Sequence, residues 1–162
     1  MSKTEVFFPD SENVKLFKDL IKQQGIDVCR KVIEKEWINE SLSKISFGIV
    51  KYRQNAQIGQ KIKSKKDNYV IEGFILCRCD TENPFGLWID LICSTEQSRC
   101  GKYLLNKAFS YIAEYTPQIK SIMLYSLYDE TLKNWYLAQG FFASKVDIWD
   151  GKPKAYLMVK YL

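Results

Sequence analysis

Apolar and polar positions follow two rhythms along this chain, and the clearest change from one to the other falls near its middle. Gly86-Leu87-Trp88-Ile89-Asp90-Leu91-Ile92-Cys93 is a mostly apolar run opened by a glycine, the pattern of a buried strand, and Ser94 to Gly101 is a short polar turn. Leu104, Leu105, Ala108, Phe109 and Ile112 then recur at helical spacing, which predicts a helix over Tyr103 to Tyr115. Upstream, Thr4 to Phe8 reads as a short strand closed by Pro9-Asp10. Ser11 suits the cap of a helix running to Lys22, with Val14, Phe17, Leu20 and Ile21 on one face, and Gly25 is expected to break it. A second amphipathic helix is expected from Asp27 to about Glu40 through Val28, Val32, Ile33, Trp37 and Ile38. Ile45 to Tyr52 and Tyr69 to Cys79 read as antiparallel neighbours, and Thr81 to Gly86 turns the chain into the central strand.

Beyond the central helix, Pro117 ends the connection and Ser121 to Leu127 is a further buried strand. A helical crossover predicts that it runs parallel to the central one. Glu130 to Gln139 forms a helix closed by Gly140, and Phe142 to Trp149 pairs with Ala155 to Tyr161 around Asp150-Gly151. The order is β-α-α-β-β-β-α-β-α-β-β, with no internal repeat or linker, and a length of 162 residues predicts one domain, 1–162.

The central strand-turn-helix junction carries the first chemistry. The opening N–H groups of a helix have no partners within it and point into the preceding turn with the positive end of the helix dipole. Such a turn binds anions, phosphates above all. Here Arg99 and Lys102 add positive charge, and Gly101 lets a ligand approach the backbone without a Cβ in the way. The same residues also suit an ordinary strand-to-helix turn.

Composition narrows the chemistry. The chain has no His, so Ser-His-Asp and Cys-His mechanisms are excluded, and proton transfer falls to Asp, Glu, Tyr, Cys, Lys or water. The cysteines (Cys29, Cys77, Cys79, Cys93, Cys100) form an odd set without a CxxC pair, which argues against a zinc site and for reduced thiols in an intracellular protein. Cys100, beside a helix start, is either a reactive thiol or a small packing residue. No apolar run is long enough to span a bilayer, and Met1 to Glu5 opens no secretory pattern, so a cytoplasmic location is expected and a membrane partner is not. A net charge of +5 suits an anionic ligand, an acidic substrate or weak nucleic-acid attraction. The densest cationic cluster, Lys61 to Lys66, reads as a solvated hairpin loop, with a nucleic-acid patch as the alternative.

Three places in the chain resemble the GNAT superfamily of acyl-CoA-dependent N-acyltransferases. Glu96-Gln97-Ser98-Arg99-Cys100-Gly101-Lys102 is similar to the family's diphosphate turn, a Gln or Arg followed by two spaced glycines; one glycine is absent here. If Leu104-Leu105 fixes the register, Arg99 stands at the first glycine; if Gln97 is the family's Gln, the turn is one residue short. Asn134-Trp135-Tyr136-Leu137-Ala138-Gln139-Gly140-Phe141 matches the family's Tyr-x-x-x-Gly-Phe ending of the fourth helix. Phe142 to Tyr161, with Met158 in the last strand, looks like its closing hairpin.

The resemblance covers residues 45–162 and implies an α+β sandwich, a mixed, mostly antiparallel sheet of six to seven strands flanked by about four helices. It implies acetyl-CoA as cosubstrate, no metal, and direct attack of an amine on the thioester, with positioning supplying much of the rate. The pantetheine arm would lie between splayed fourth and fifth strands, near the main chain of Asp90, Leu91, Ile92 and Cys93. Gln97, Ser98, Arg99, Cys100, Gly101 and Lys102 would meet the diphosphate, and Asp129 falls about where members carry an Asn on the pantetheine. Tyr136 would be the general acid toward the leaving thiolate, a phenol being protonated at neutral pH. Asp90, Glu72, Asp147 and a water chain remain alternative bases, because strand bulges can reverse the faces. The acceptor amine, small molecule or peptide, is left open, and the final strand could pair with a second copy. A GNAT-like module that binds acyl-CoA without turnover, and a basic nucleic-acid-binding domain, are the competing readings.

Overall fold

A computed structural model of the chain describes residues 1–55 and 68–162; the lysine cluster at 61–66 lies outside the described residues. The elements are β1 (Ser2–Phe7), α1 (Val14–Val28), α2 (Lys35–Ser43), β2 (Phe47–Gln54), β3 (Tyr69–Cys79), β4 (Gly86–Ser94), α3 (Gly101–Tyr115), β5 (Ser121–Leu127), α4 (Glu130–Ala138), β6 (Phe142–Trp149) and β7 (Lys152–Tyr161). The seven strands form one sheet in the order β1-β2-β3-β4-β5-β7-β6. Every neighbouring pair is antiparallel except β4 and β5, which run parallel across the α3 crossover. This is the α+β architecture expected.

Apolar clusters bury the sheet's two faces. Leu104, Leu105, Ala108 and Ile112 of α3 and Tyr136 of α4 pack on Ile49, Ile75, Leu87, Ile122 and Met158. On the other face Phe17, Leu20, Ile21 and Val28 of α1 and Ile38 and Leu42 of α2 cover Val50, Phe74, Leu76 and Leu91. Among the described residues, no helix is long and apolar enough to cross a membrane.

Some of these expectations need correction. Gly25 does not end α1; the helix runs through it to Val28, because a Cβ there would meet Ile38 Cδ1 at 3.1 Å and the bare backbone lets α2 pack close. The second helix accordingly starts later, at Lys35. Contrary to the reading of all five cysteines as reduced thiols, Cys29 and Cys93 form a disulfide, leaving Cys77, Cys79 and Cys100 free.

A bulge in β4 explains that bond. Cys77 of β3 pairs with Ile89 and Leu76 with Leu91, so Asp90 is the extra residue. Leu87 and Ile89 face α3, whereas Leu91 and Cys93 beyond the bulge face α1 and α2. Unbroken alternation would have kept all four on one face.

Candidate functional site

The parallel pairing of β4 with β5 lasts only from Gly86–Ser121 to Trp88–Met123. Beyond it the strands part, so Ile89 to Ser94 and Leu124 to Leu127 border a wedge-shaped slot with strand edges on both sides. β4 leads from this slot into the polar turn, and α3 begins at Gly101, two residues earlier than expected.

Backbone constraints build the turn. Thr95 N–H donates to the Glu72 carbonyl at 2.9 Å, Ser98 Oγ to the same carbonyl at 3.0 Å, and Cys100 N–H to Ser94 Oγ at 2.8 Å. Arg99 sits at φ +45°, in the left-handed region that favours glycine. The N–H groups of Gly101, Lys102 and Tyr103 meet no acceptor among the described residues, and α3 has no side-chain cap. An anion placed there would receive three convergent donors and the helix dipole.

The expected turn residues therefore divide by role. Gly101 and Lys102 open the helix, Gln97 and Arg99 are exposed, Ser98 spends its hydroxyl on Glu72, and Cys100 is buried under Gly73. A Cβ on Gly101 would touch only the Trp135 ring at 3.5 Å, which brings α4 to the mouth of the turn.

The motif on α4 has a mechanical basis. Phe141 N–H bonds the Tyr136 carbonyl at 3.2 Å and Gly140 N–H the Leu137 carbonyl at 3.0 Å, a Schellman cap with Gly140 at φ +92°. The cap folds Phe141 back onto Tyr136, ring centroids 5.7 Å apart. Tyr136 is thereby fixed, 5% exposed, in the α3-side cluster, and burial pushes its phenol well above the ordinary value. Its hydroxyl has no hydrogen-bond partner among the described residues. Asp129 caps the other end of α4, its carboxylate accepting Leu132 N–H at 2.9 Å.

The carboxylates considered as bases are engaged elsewhere to different degrees. Asp90 accepts from Arg78 Nε and Nη2, each at 3.0 Å, and this bond raises the Arg78 pKa. Burial alone would raise Glu72, but hydrogen bonds from Lys51 and Ser2 and the charges of Lys51 and Arg53 hold it below the ordinary carboxylate value. Asp147 lies 3.8 Å from Lys145. Arg78 escaped the sequence reading, because its place opposite Trp88 is set by the pairing of β3 with β4. It stacks on Trp88 at 5.8 Å, and Trp88 stacks on Tyr125 at 5.5 Å, a layer that ties β3, β4 and β5 together where the slot begins.

No protein-family model matches the chain, and no curated protein does either. Solved structures match it over nearly the whole chain. An acyl-CoA N-acyltransferase from Pseudomonas aeruginosa aligns with TM-score 0.65 at 12% identity, covering 99% of both chains. An acetyltransferase from Bacillus cereus aligns with TM-score 0.65 at 13% identity, covering all of both. The catalytic domain of the Tetrahymena GCN5 histone acetyltransferase, in complex with coenzyme A, gives TM-score 0.62 at 17% identity, covering 99% of this chain and 93% of that one. The chain has the GNAT fold.

Proposed function

We propose that this protein is an acyl-CoA-dependent N-acyltransferase that moves an acetyl group from acetyl-CoA to a primary amine. The observation that carries the reading is the alignment of two unsatisfied features: the open edges of β4 and β5 beyond Trp88, and the free amides of Gly101, Lys102 and Tyr103 at the end of β4. A diphosphate suits the amides and Lys102; an extended amide-bearing arm suits the strand edges, as an added strand would. Asp90, Leu91, Ile92 and Cys93 offer main-chain groups along that arm.

Bound acetyl-CoA would supply the activated acyl carbon. Tyr136 holds a proton at its phenol oxygen and donates it to the departing sulfur, its raised pKa keeping it protonated across the neutral range. Asp90 is held by Arg78 and Glu72 by Lys51, so the ammonium proton of the acceptor is assigned to Asp147 or water. Those engaged carboxylates are also the observation that favours the second reading, a module that binds acyl-CoA without turnover.

Isothermal titration with acetyl-CoA and CoA tests the reading, repeated on Gly101→Glu. A Cβ there meets only the Trp135 ring, so the variant is expected to fold while bulk and negative charge oppose the diphosphate. Micromolar binding lost in the variant is expected; no binding by the wild type refutes the assignment. Acetyl transfer to an amine panel then separates an enzyme from a binding module.

A further inference from the structure

We infer that the Cys29–Cys93 disulfide positions the anion-binding turn, so that acyl-CoA affinity depends on the redox state of this pair; the affinity part rests on the acyl-CoA reading above. The bond joins the end of α1 to the end of β4, one residue before Ser94. Ser94 is the hub of the turn. Its hydroxyl accepts the Cys100 N–H at the start of α3, and its carbonyl accepts Arg30 Nε at 3.2 Å from the residue after Cys29. Two adjacent links, one covalent and one polar, therefore tie the α1 end to the residue that seats the amides of Gly101 to Tyr103.

The α1 side of this link is strained. Arg30 and Lys31 are consecutive non-glycine residues at φ +56° and +60°, a conformation that persists where the surroundings impose it. They close α1 as a Schellman turn, Arg30 N–H on the Asp27 carbonyl at 2.9 Å and Lys31 N–H on the Ile26 carbonyl at 2.8 Å, and the disulfide beside them holds this close of the helix against the end of β4. When it opens, the capped end of α1 is free to move off β4, which withdraws Arg30 from the Ser94 carbonyl. Ser94 then loses two of its anchors and the turn loses its fixed aim.

The chemistry is a two-electron thiol–disulfide exchange with a dithiol. A thiolate of the dithiol attacks one sulfur and the Cys29–Cys93 bond breaks. The second thiol then closes the dithiol to its own cyclic disulfide, leaving Cys29 and Cys93 as thiols that have gained two electrons and two protons. The bond is buried, Cys29 being 3% and Cys93 7% exposed, so exchange proceeds through opening of the strained connector and is slow relative to an exposed bond.

The experiment compares full-length oxidised protein with protein reduced by dithiothreitol, thiol counting under denaturing conditions recording three free thiols before and five after. CoA is titrated into both, and hydrogen exchange is followed for the amides of residues 95–103. Reduction is expected to weaken CoA binding about tenfold, within the range usual for coupled sites, and to speed exchange in the turn while the protein remains folded. Cys29→Ala/Cys93→Ala should bind as the reduced protein does and no longer respond to dithiothreitol, which ties the reagent's effect to this bond. Equal affinity and equal turn protection in both states overturn the inference. Faster exchange in the turn with no CoA binding in either state upholds the coupling to the turn and refutes the acyl-CoA reading instead.

Discussion

Arg99 carries two opposed physical roles in one residue. Its left-handed backbone, φ +45°, costs about 1–2 kcal/mol for an L residue, and glycine would remove that cost while adding about 0.5–1 kcal/mol of its own in lost chain entropy. Its exposed side chain meanwhile carries a positive charge just ahead of the free amides of α3 in the chain. Arg99→Gly is therefore expected to raise unfolding free energy in urea by about 0.5–1 kcal/mol, and to weaken CoA binding as the cation is lost. A loss of both stability and affinity would show that the Arg99 side chain makes a structural contact instead. Tyr136 gives the converse case, a side chain whose ring is structural and whose hydroxyl is spare. Tyr136→Phe keeps the packing on Phe141 and Trp135, so its melting temperature at neutral pH should stay near that of the wild type. Its kcat should fall about 100-fold with KM for acetyl-CoA unchanged. The phenol's folded pKa is raised above its unfolded value near 10, so its contribution is complete below that pH and is lost as pH rises beyond it. Wild-type unfolding free energy should thus fall more steeply above about pH 10 than that of the variant.

At the level of elements, the turn depends on β3 as much as on its own sequence. Gly73 lies under Cys100, and a Cβ there would come within 2.4 Å of its sulfur and 2.9 Å of the Cys93 carbonyl oxygen. Gly73→Ala must push α3 away from the sheet or bend β4. It is expected to cost about 1–3 kcal/mol in chemical denaturation and to weaken CoA binding with it, since the shift falls on the anchored turn. Such dependence marks how far the sequence could be read. The parallel crossover and the Asp150-Gly151 turn with both residues at positive φ follow from local pattern, and the structure has both. Gly25 was misread because a glycine in a helix looks the same in sequence whether it ends the helix or admits a neighbour. The faces of β4 were not legible, because the bulge at Asp90 arises from pairing with β3 and leaves no mark on β4 alone.

For the whole molecule, the disulfide is where that hidden bulge matters most. Cys29 and Cys93 are separated by 64 residues, and no spacing rule joins them; only the reversal of faces at Asp90 turns Cys93 toward α1. The bond fastens the α1–α2 layer to the central strand, while α3 and α4 hold the opposite face by apolar packing and by side-chain hydrogen bonds such as Tyr156 to Glu130. Closing a loop of this length removes conformational freedom from the unfolded chain worth about 4 kcal/mol in the chain-entropy model, a large part of the stability of an ordinary domain. Reduction should therefore lower unfolding free energy by about 2–4 kcal/mol in urea, with the loss placed mainly in the unfolded state. The Cys29→Ala/Cys93→Ala protein should match the reduced wild type, and denaturing both at pH 7 with and without dithiothreitol checks this directly. A reduced protein as stable as the oxidised one would mean that packing on the α1–α2 face already suffices, and that the bond constrains only the turn beside it.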